Sequence, residues 1–193
     1  MSTPQIWFAP VPQLFWSEYS GRPFEVCIDC DRALQDCEFY VVQKRFVAKE
    51  GVFEMAMCHE CRECLSQECS QQTMLAVNGF LAEHLSERNA KTEQLTESDD
   101  LILYCIDHCI VCSKHRAKCH RYSVGGLCRG FEIVGQISPP GQTPLMICDD
   151  CERGMADLVS RQTRDTWDRF VDEHFDGPPG LELDIPSAAP IAF

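Results

Sequence analysis

The sequence predicts an α+β protein that contains two copies of one cysteine-rich module. Four CxxC pairs occur in 193 residues, and their spacing sorts them into two groups. Runs of β-branched and aromatic residues lie between the two pairs of each group, and an apolar stripe of helical spacing follows the second pair. Each module is therefore expected to consist of a CxxC knuckle, a β-hairpin and an α-helix. The groups are Cys27, Cys30, Cys58 and Cys61, and Cys109, Cys112, Cys148 and Cys151.

A direct alignment of the chain with itself indicates an internal repeat. Moving residues 27–40 by 82 positions places them on 109–122, where five of fourteen positions are identical. Moving residues 58–85 by 90 positions places them on 148–175, where eight of 28 positions are identical. Unrelated segments of ordinary composition would agree at about one position in sixteen. The sequence therefore predicts a tandem duplication, and we expect the two copies to pack as a pseudo-dimer.

The predicted elements follow the same order in both copies. In copy one, residues 39–47 and 52–57 are expected to form a hairpin with its turn at 48–51. In copy two, the expected strands are 131–137 and 145–147, on either side of a Pro-rich loop. Apolar positions at helical spacing over 65–85 and 155–175 predict a helix after each second CxxC pair.

Composition divides the rest of the chain into segments. Residues 1–23 are aromatic and Pro-rich and are expected to pack over a repeat. The predicted organisation continues with copy one at 24–88, a polar linker at 89–104, copy two at 105–175, and an acidic tail rich in Pro and Gly at 176–193.

The spacing of the CxxC pairs is typical of tetrahedral zinc sites. One CxxC turn brings two thiolates to a metal ion, and an intervening hairpin returns the second pair. The eight cysteines are therefore expected to hold two structural zinc ions, which would supply folding energy to both small modules. Free buried cysteines are the alternative, as are disulfides if the compartment is oxidising.

Two patterns carry a resemblance to known zinc proteins. The order of knuckle, hairpin and CxxC at a helix start resembles the treble-clef family of zinc fingers. Residues 146–152 (MICDDCE) look like the second zinc knuckle in the N-terminal domain of the Clp protease unfoldase. That resemblance implies a four-cysteine treble clef that dimerises and captures other proteins. The spacers between the pairs are longer in this chain, and no GxxxxGK[ST] motif of an ATPase occurs.

Charge and hydropathy exclude several function classes. Thirty acidic and 17 basic residues give a formal net charge of −13, which argues against general binding to nucleic acid phosphates. No run approaches 18 apolar residues, so no membrane span is expected. The first basic residue is Arg22, which is unlike a secretory signal, and we therefore expect a cytoplasmic protein with reduced thiols.

Several cysteines and histidines fall outside the two groups. Cys37 and Cys119 match each other in the repeat and are expected to be packed core thiols, with ligation as the alternative. Cys64 is expected to be a small packing residue on the first helix, and the alternative is that it competes as a ligand at the first site through a CxxC with Cys61. His84 and His174 lie on the apolar stripes and are expected in the core, and the alternative is a polar site where the copies meet. The remaining cysteines, Cys69, Cys105 and Cys128, are expected to be packing residues.

Three functions follow from these patterns. A site with four cysteine ligands has no open position, and HExxH and GxSxG motifs are absent, so a non-enzymatic adaptor or regulator that binds another protein is favoured. The second function is a nucleic-acid-associated regulator that uses a basic island at 114–129, although the island can also pair with the protein's own acidic groups. The third is a thiol–disulfide oxidoreductase that uses the CxxC pairs. The cations of the island are Lys114, Arg116, Lys118, Arg121 and Arg129.

Overall fold

An antiparallel sheet lies at the centre of the computed structural model, which describes residues 6–92, 98–138 and 141–175. The described strands are β1 (Ile6–Pro10), β2 (Tyr40–Val47), β3 (Glu50–Cys58), β4 (Arg121–Arg129), β5 (Glu132–Ser138), β6 (Gly141–Thr143) and β7 (Leu145–Cys148). The order across the sheet is β1-β5-β4-β2-β3, with β6 paired to β5 and β7 paired to β4. The described helices are α1 (His59–Glu68), α2 (Gln71–Thr92), α3 (Ser98–Asp107), α4 (Asp149–Ala156) and α5 (Arg161–His174). The predicted α+β class is confirmed.

The hairpin of copy one forms where the sequence predicts it. Strands β2 and β3 pair from Tyr40↔Cys58 to Val47↔Glu50. The turn is shorter than expected, because only Ala48 and Lys49 connect the strands, with φ angles of 50° and 78°. Two residues at positive φ match the right-handed twist of the flanking strands, which allows a two-residue turn.

The strand prediction for copy two is wrong in its pairing. Strand β7 pairs with β4, and Tyr122 lies opposite Cys148. Strands β5 and β6, which come between β4 and β7 in the chain, form an additional hairpin. Strand β4 was missed because Gly125 and Gly126 lower its apparent strand propensity. A Cβ atom on Gly126 would lie 2.8 Å from Ile133 Cδ1, so this close approach requires glycine.

Each predicted helix is divided into two in the structure. Helix α1 ends before Ser70, and α4 ends before Ser160, where a second helix begins. The Ser160 hydroxyl accepts a hydrogen bond from the backbone N–H of Thr163, which caps the start of α5. The apolar stripe continues across each break, which is why helical spacing alone predicted one continuous helix.

The segment predicted as a polar linker contains part of the core. Helix α2 continues to Thr92, and α3 starts at Ser98 and buries Leu101 and Ile102. The N-terminal segment packs on the modules as expected: β1 pairs with β5, and Phe15 is fully buried. The predicted tail at 176–193 lies outside the described residues.

The two cysteine modules contact each other through the sheet and through their helices. Strands β2 and β4 pair along their whole length, and Gln43 lies opposite Gly125, which is 82 positions further along the chain. Helix α2 of the first module packs its Val77 in a cluster with Ile110 of the second module. In return, Trp167 on α5 packs edge-on against Phe53 of the first module, with ring centroids 6.3 Å apart.

Candidate metal centres

The first cysteine group lies between the N-terminal knuckle and the start of α1. The knuckle closes through hydrogen bonds from Cys27 N to Arg32 O (2.9 Å) and from Asp31 N to Cys27 O (3.0 Å). Asp31 has a φ of 57°, which reverses the chain after the CxxC turn. Cys58 is the last residue of β3 and caps α1, and Cys61 lies in the first helical turn. The end of the strand and the start of the helix thereby place Cys58 and Cys61 next to Cys27 and Cys30.

The second group repeats this geometry at equivalent positions. Cys109 N donates to Lys114 O at 2.9 Å, and Ser113, 82 positions after Asp31, has a φ of 58°. Cys148 ends β7 and precedes the first turn of α4, which carries Cys151. The structure therefore brings all eight predicted ligands together, four in each group.

The distances between the sulfur atoms fit a tetrahedral ion. Within each group, the four Sγ atoms all lie within 4.8 Å of one another. A regular tetrahedron with Zn–S bonds of about 2.3 Å has S···S edges of about 3.8 Å. The Cys30–Cys58 Sγ distance is 3.9 Å, and the Cys112–Cys148 distance is 3.7 Å. All 14 cysteines fall in the described part of the chain and none forms a disulfide. Both groups can hold a metal ion, and the donor set is compatible with structural zinc.

Backbone amides point at the sulfur atoms from the strand ends and helix starts. Cys58 N donates to Cys27 Sγ at 3.3 Å, and Cys148 N donates to Cys109 Sγ at 3.4 Å. Cys61 N donates to Cys58 Sγ at 3.5 Å. Such N–H···S bonds stabilise the negative charge of thiolate ligands. The local fold thus prepares the sulfur atoms for a cation.

The thiols of each group differ in acidity. Burial raises the pKa of Cys58 to about 12, whereas a hydrogen bond from the backbone of Arg32 lowers the pKa of Cys30. In the second group, hydrogen bonding to Cys109 raises the pKa of Cys148 to about 12, and the Cys148 thiol lowers the pKa of Cys109. Without a cation, the raised pKa values of Cys58 and Cys148 therefore keep these two thiols protonated at neutral pH. A divalent cation would supply the charge that makes four thiolates favourable.

An ion pair spans the surface of each cysteine group. Arg32, after the first knuckle, lies 3.1 Å from Glu60 at the start of α1. At the equivalent positions, Lys114 lies 3.3 Å from Asp150 at the start of α4. These exposed pairs connect the knuckle to the helix, although such pairs contribute little stability on their own.

The cations of the predicted basic island are spread along β4 and the segment before it. Arg121 and Arg129 lie at opposite ends of β4, about 26 Å apart at 3.3 Å per residue. Lys114 pairs with Asp150 as described above, and Arg116 contacts Asp107 at 2.7 Å. The structure therefore places Arg129 far from Arg121 and pairs two cations of the island with the protein's own acids.

The two histidines on the apolar stripes have different contacts. His174 Nε2 lies 3.1 Å from Asp29 Oδ1 beside the first knuckle, and His84 Nδ1 contacts the carbonyl of Phe80 at 2.8 Å. In the described ranges, neither histidine belongs to a group of three or more close metal-ligating atoms. These contacts do not support the alternative of a second metal site formed by both histidines.

The other cysteines take different positions. Cys64 is exposed on α1, so the prediction that it packs is wrong, and it lies outside both four-cysteine groups. Cys69, Cys105 and Cys128 are buried, and burial raises the pKa of Cys128 to about 12, as expected for packing residues. Cys37 is buried next to the first group, and Cys119 is half-buried beside the second.

Sequence reasoning missed a set of buried charges that joins the modules. Arg45 on β2 contacts Glu152 Oε2 at 2.5 Å and Asp149 Oδ1 at 3.2 Å, both on α4. Lys44 is fully buried, and its Nζ lies 2.7 Å from Glu18. The only signal was a pair of cations in a strand whose other residues are apolar except for Gln43, and this signal does not identify their partners.

No protein-family model, curated protein or solved structure matches this chain. The treble-clef resemblance thus stays a prediction that rests on the cysteine pattern and on the local geometry. Within the described ranges, no helix combines the length and the apolar character needed to cross a membrane.

Proposed function

We propose that this protein is a duplicated, treble-clef-like zinc protein whose two ions are structural and whose role is to bind another protein. The observation that carries the proposal is the closure of both sites: each group directs four sulfur atoms to one point at the junction of knuckle, strand and helix. Four thiolates leave no position for a substrate or an activated water molecule. Zinc in such a site stabilises the fold.

Reciprocal contacts support the duplication and the pseudo-dimer. Ser70 N donates to Thr163 Oγ1 at 3.0 Å, and Ser160 N donates to Thr73 Oγ1 at 2.9 Å. Exchanging the two copies converts one hydrogen bond into the other. Ser160 lies 90 positions after Ser70, and Thr163 lies 90 positions after Thr73. Self-complementary contacts of this kind are characteristic of a twofold interface. The pairing of Gln43 with its own equivalent, Gly125, supports the same axis.

The edge of β1 that faces away from β5 has no partner strand among the described residues and offers a surface for the partner. Val11 N donates to Phe131 O at 3.0 Å, in register with the β1–β5 ladder. Because hydrogen bonding alternates along an antiparallel strand, the backbone groups of Ile6 and Phe8 point away from β5. Their side chains are 53% and 39% exposed. This edge patch, Ile6 and Phe8, can add an extended apolar segment as a further strand.

Charge specifies the partner's chemistry further. The net charge of −13 repels acidic chains and attracts basic ones. Beside the edge patch, the carboxylate of Glu132 and the guanidinium of Arg129, which lies 5.9 Å from the centre of the Phe8 ring, offset each other. The net charge of the whole chain therefore favours a partner segment that alternates apolar and basic residues. The separation of Arg121 from Arg129 disfavours the nucleic-acid alternative.

Affinity capture with matched variants tests the proposed function. Ile6→Ser/Phe8→Ser removes the edge patch, and Leu75→Ser/Leu103→Ser changes two exposed leucines elsewhere. The wild type and the leucine control should capture the same protein from the native organism, and the patch variant should lose it while still binding two zinc ions. Capture that is equal for all three proteins, or no capture by the wild type, would contradict the proposal.

A further inference from the structure

A third set of metal-ligating atoms adjoins the first cysteine group. The Sγ atoms of Cys37 and Cys58 and a carboxylate oxygen of Glu60 lie within 4.8 Å of one another. Both thiols are buried, and Glu60 is exposed. Cys58 belongs to this set and to the first four-cysteine group at the same time. The Cys37 thiol also contacts the carbonyl of Ala33 at 3.5 Å, which fixes the side chain of Cys37 in place.

We propose that Cys37, Cys58 and Glu60 form an accessory site for a thiophilic divalent cation of the zinc type. Cys58 would bridge this cation to the structural zinc ion, so the inference rests on the proposed function of the first group. Two thiolates and one carboxylate provide three protein ligands, and solvent water completes a tetrahedral shell. Binding displaces the proton of the Cys37 thiol, whereas Cys58 already binds zinc as a thiolate.

The charge around the site favours a further cation. A zinc ion with four thiolates carries a net charge of −2, to which the Cys37 thiolate and Glu60 add two negative charges. Arg32, 3.1 Å from Glu60, is the cation nearest to that carboxylate and compensates only part of this charge. A carboxylate has two oxygen atoms and can contact a guanidinium and a metal ion together. The accessory cation would therefore reduce an excess of negative charge.

The accessory site also has a path to solvent. Cys37 lines a surface cleft with a volume of about 840 Å³. Asp36, Glu38 and Glu132 also line the cleft against a single cation, Arg129, so the cleft is acidic on balance and attracts cations. Because Glu60 is exposed, a cation bound at the accessory site can exchange with solvent.

Copy two lacks the equivalent set and provides the control. Cys119 and Asp150 occupy the positions of Cys37 and Glu60, but among the described residues their ligand atoms do not gather with Cys148. Aspartate is one methylene shorter than glutamate, and Asp150 is held by Lys114 at 3.3 Å and by Arg153 at 2.6 Å. The accessory site is thus specific to copy one.

Native mass spectrometry of the full chain, titrated with Zn²⁺ under reducing conditions, tests this site. The wild type should bind three ions, and a mild chelator should remove one and leave two. Cys37→Ser and Glu60→Gln should each weaken the third ion at least tenfold, while Cys119→Ser and Asp150→Asn should leave its affinity unchanged. With ¹¹³Cd²⁺ as the probe, the bridging thiolate should produce Cd–Cd coupling between two NMR signals.

The outcomes separate the accessory site from the structural sites. Saturation of the wild type at two ions, or equal loss of the third ion in the Cys119→Ser variant, would overturn the accessory site and leave the proposed function intact. Fewer than two tightly held ions would contradict the proposed function itself. Glu60→Gln changes an exposed side chain, so it tests the site even if Cys37→Ser fails to fold.

Discussion

The reciprocal hydrogen bonds between the two halves provide a quantitative test of the pseudo-dimer. Thr73→Val and Thr163→Val each keep the size and branching of the side chain and remove one acceptor. The threonines are 1% and 0% exposed, so neither Ser160 N nor Ser70 N can easily replace its partner with water. A buried N–H left without a partner costs about 1–3 kcal/mol in the free energy of unfolding.

The two variants are expected to differ only slightly. Thr163 Oγ1 also lies 3.2 Å from the Ser160 hydroxyl, so Thr163→Val should cost somewhat more than Thr73→Val. A loss of about 2 kcal/mol corresponds to a decrease in Tm of about 4–8 °C for a protein of this size. Urea unfolding of the zinc-loaded protein, followed by circular dichroism, measures the free energy directly.

A control on the same helix makes the result decisive. Gln72 is exposed, and Gln72→Val should change stability by less than about 0.5 kcal/mol. If only one threonine variant is destabilised, or if neither loses more stability than Gln72→Val, the reciprocal hydrogen bonds do not hold the two helix junctions together. Comparable losses in both variants would agree with a twofold arrangement.

Three further predictions concern metal, charge and nucleic acid. Cys27→Ser and Cys109→Ser should each reduce the tightly bound zinc from two ions to one, measured by atomic absorption, and a strong chelator should unfold the wild type. Arg45→Met should lower the free energy of unfolding, measured in urea, by about 3–5 kcal/mol, because it leaves the buried Glu152, 6% exposed, without its cation. The double variant Arg45→Met/Glu152→Leu should recover most of that loss. A gel-shift series from low to high salt should show no salt-dependent binding of DNA or RNA, and binding that weakens steeply with salt would restore the nucleic-acid alternative.

The two four-cysteine groups were predictable from the sequence because their geometry is local. A CxxC turn fixes two sulfur atoms within four residues, and the repeat shows that the same spacing occurs twice. The positive φ angles of Asp31 and Ser113 then follow from the sharp reversal after each turn. Hairpin β2–β3 was likewise predictable from its β-branched and aromatic residues, although the two-residue turn was not.

The features that escaped prediction depend on distant parts of the chain. Strand β4 contains Gly125 and Gly126, whose low strand propensity is outweighed by neighbours on both sides. The partners of Arg45 lie more than 100 positions away on α4. The proximity of Cys37 to Glu60 arises because the knuckle folds against the start of α1, which no spacing rule encodes.

The local sequence pattern also does not predict that a helix of each module packs against the other module. The stripes on α2 and α5 predict amphipathic helices but not the surfaces that they cover. In the structure, Val77 packs with residues of the second module and Trp167 with residues of the first. Each cysteine module thus depends on the other for part of its core.

X-ray absorption at the zinc edge tests the central claim most directly. Protein purified anaerobically and washed with a mild chelator should contain two zinc ions, each with four sulfur neighbours at about 2.3 Å. The same sample should contain no disulfide. Zinc with nitrogen or oxygen neighbours, a content below two ions, or metal-free protein with disulfides between the CxxC cysteines would contradict two structural four-cysteine centres.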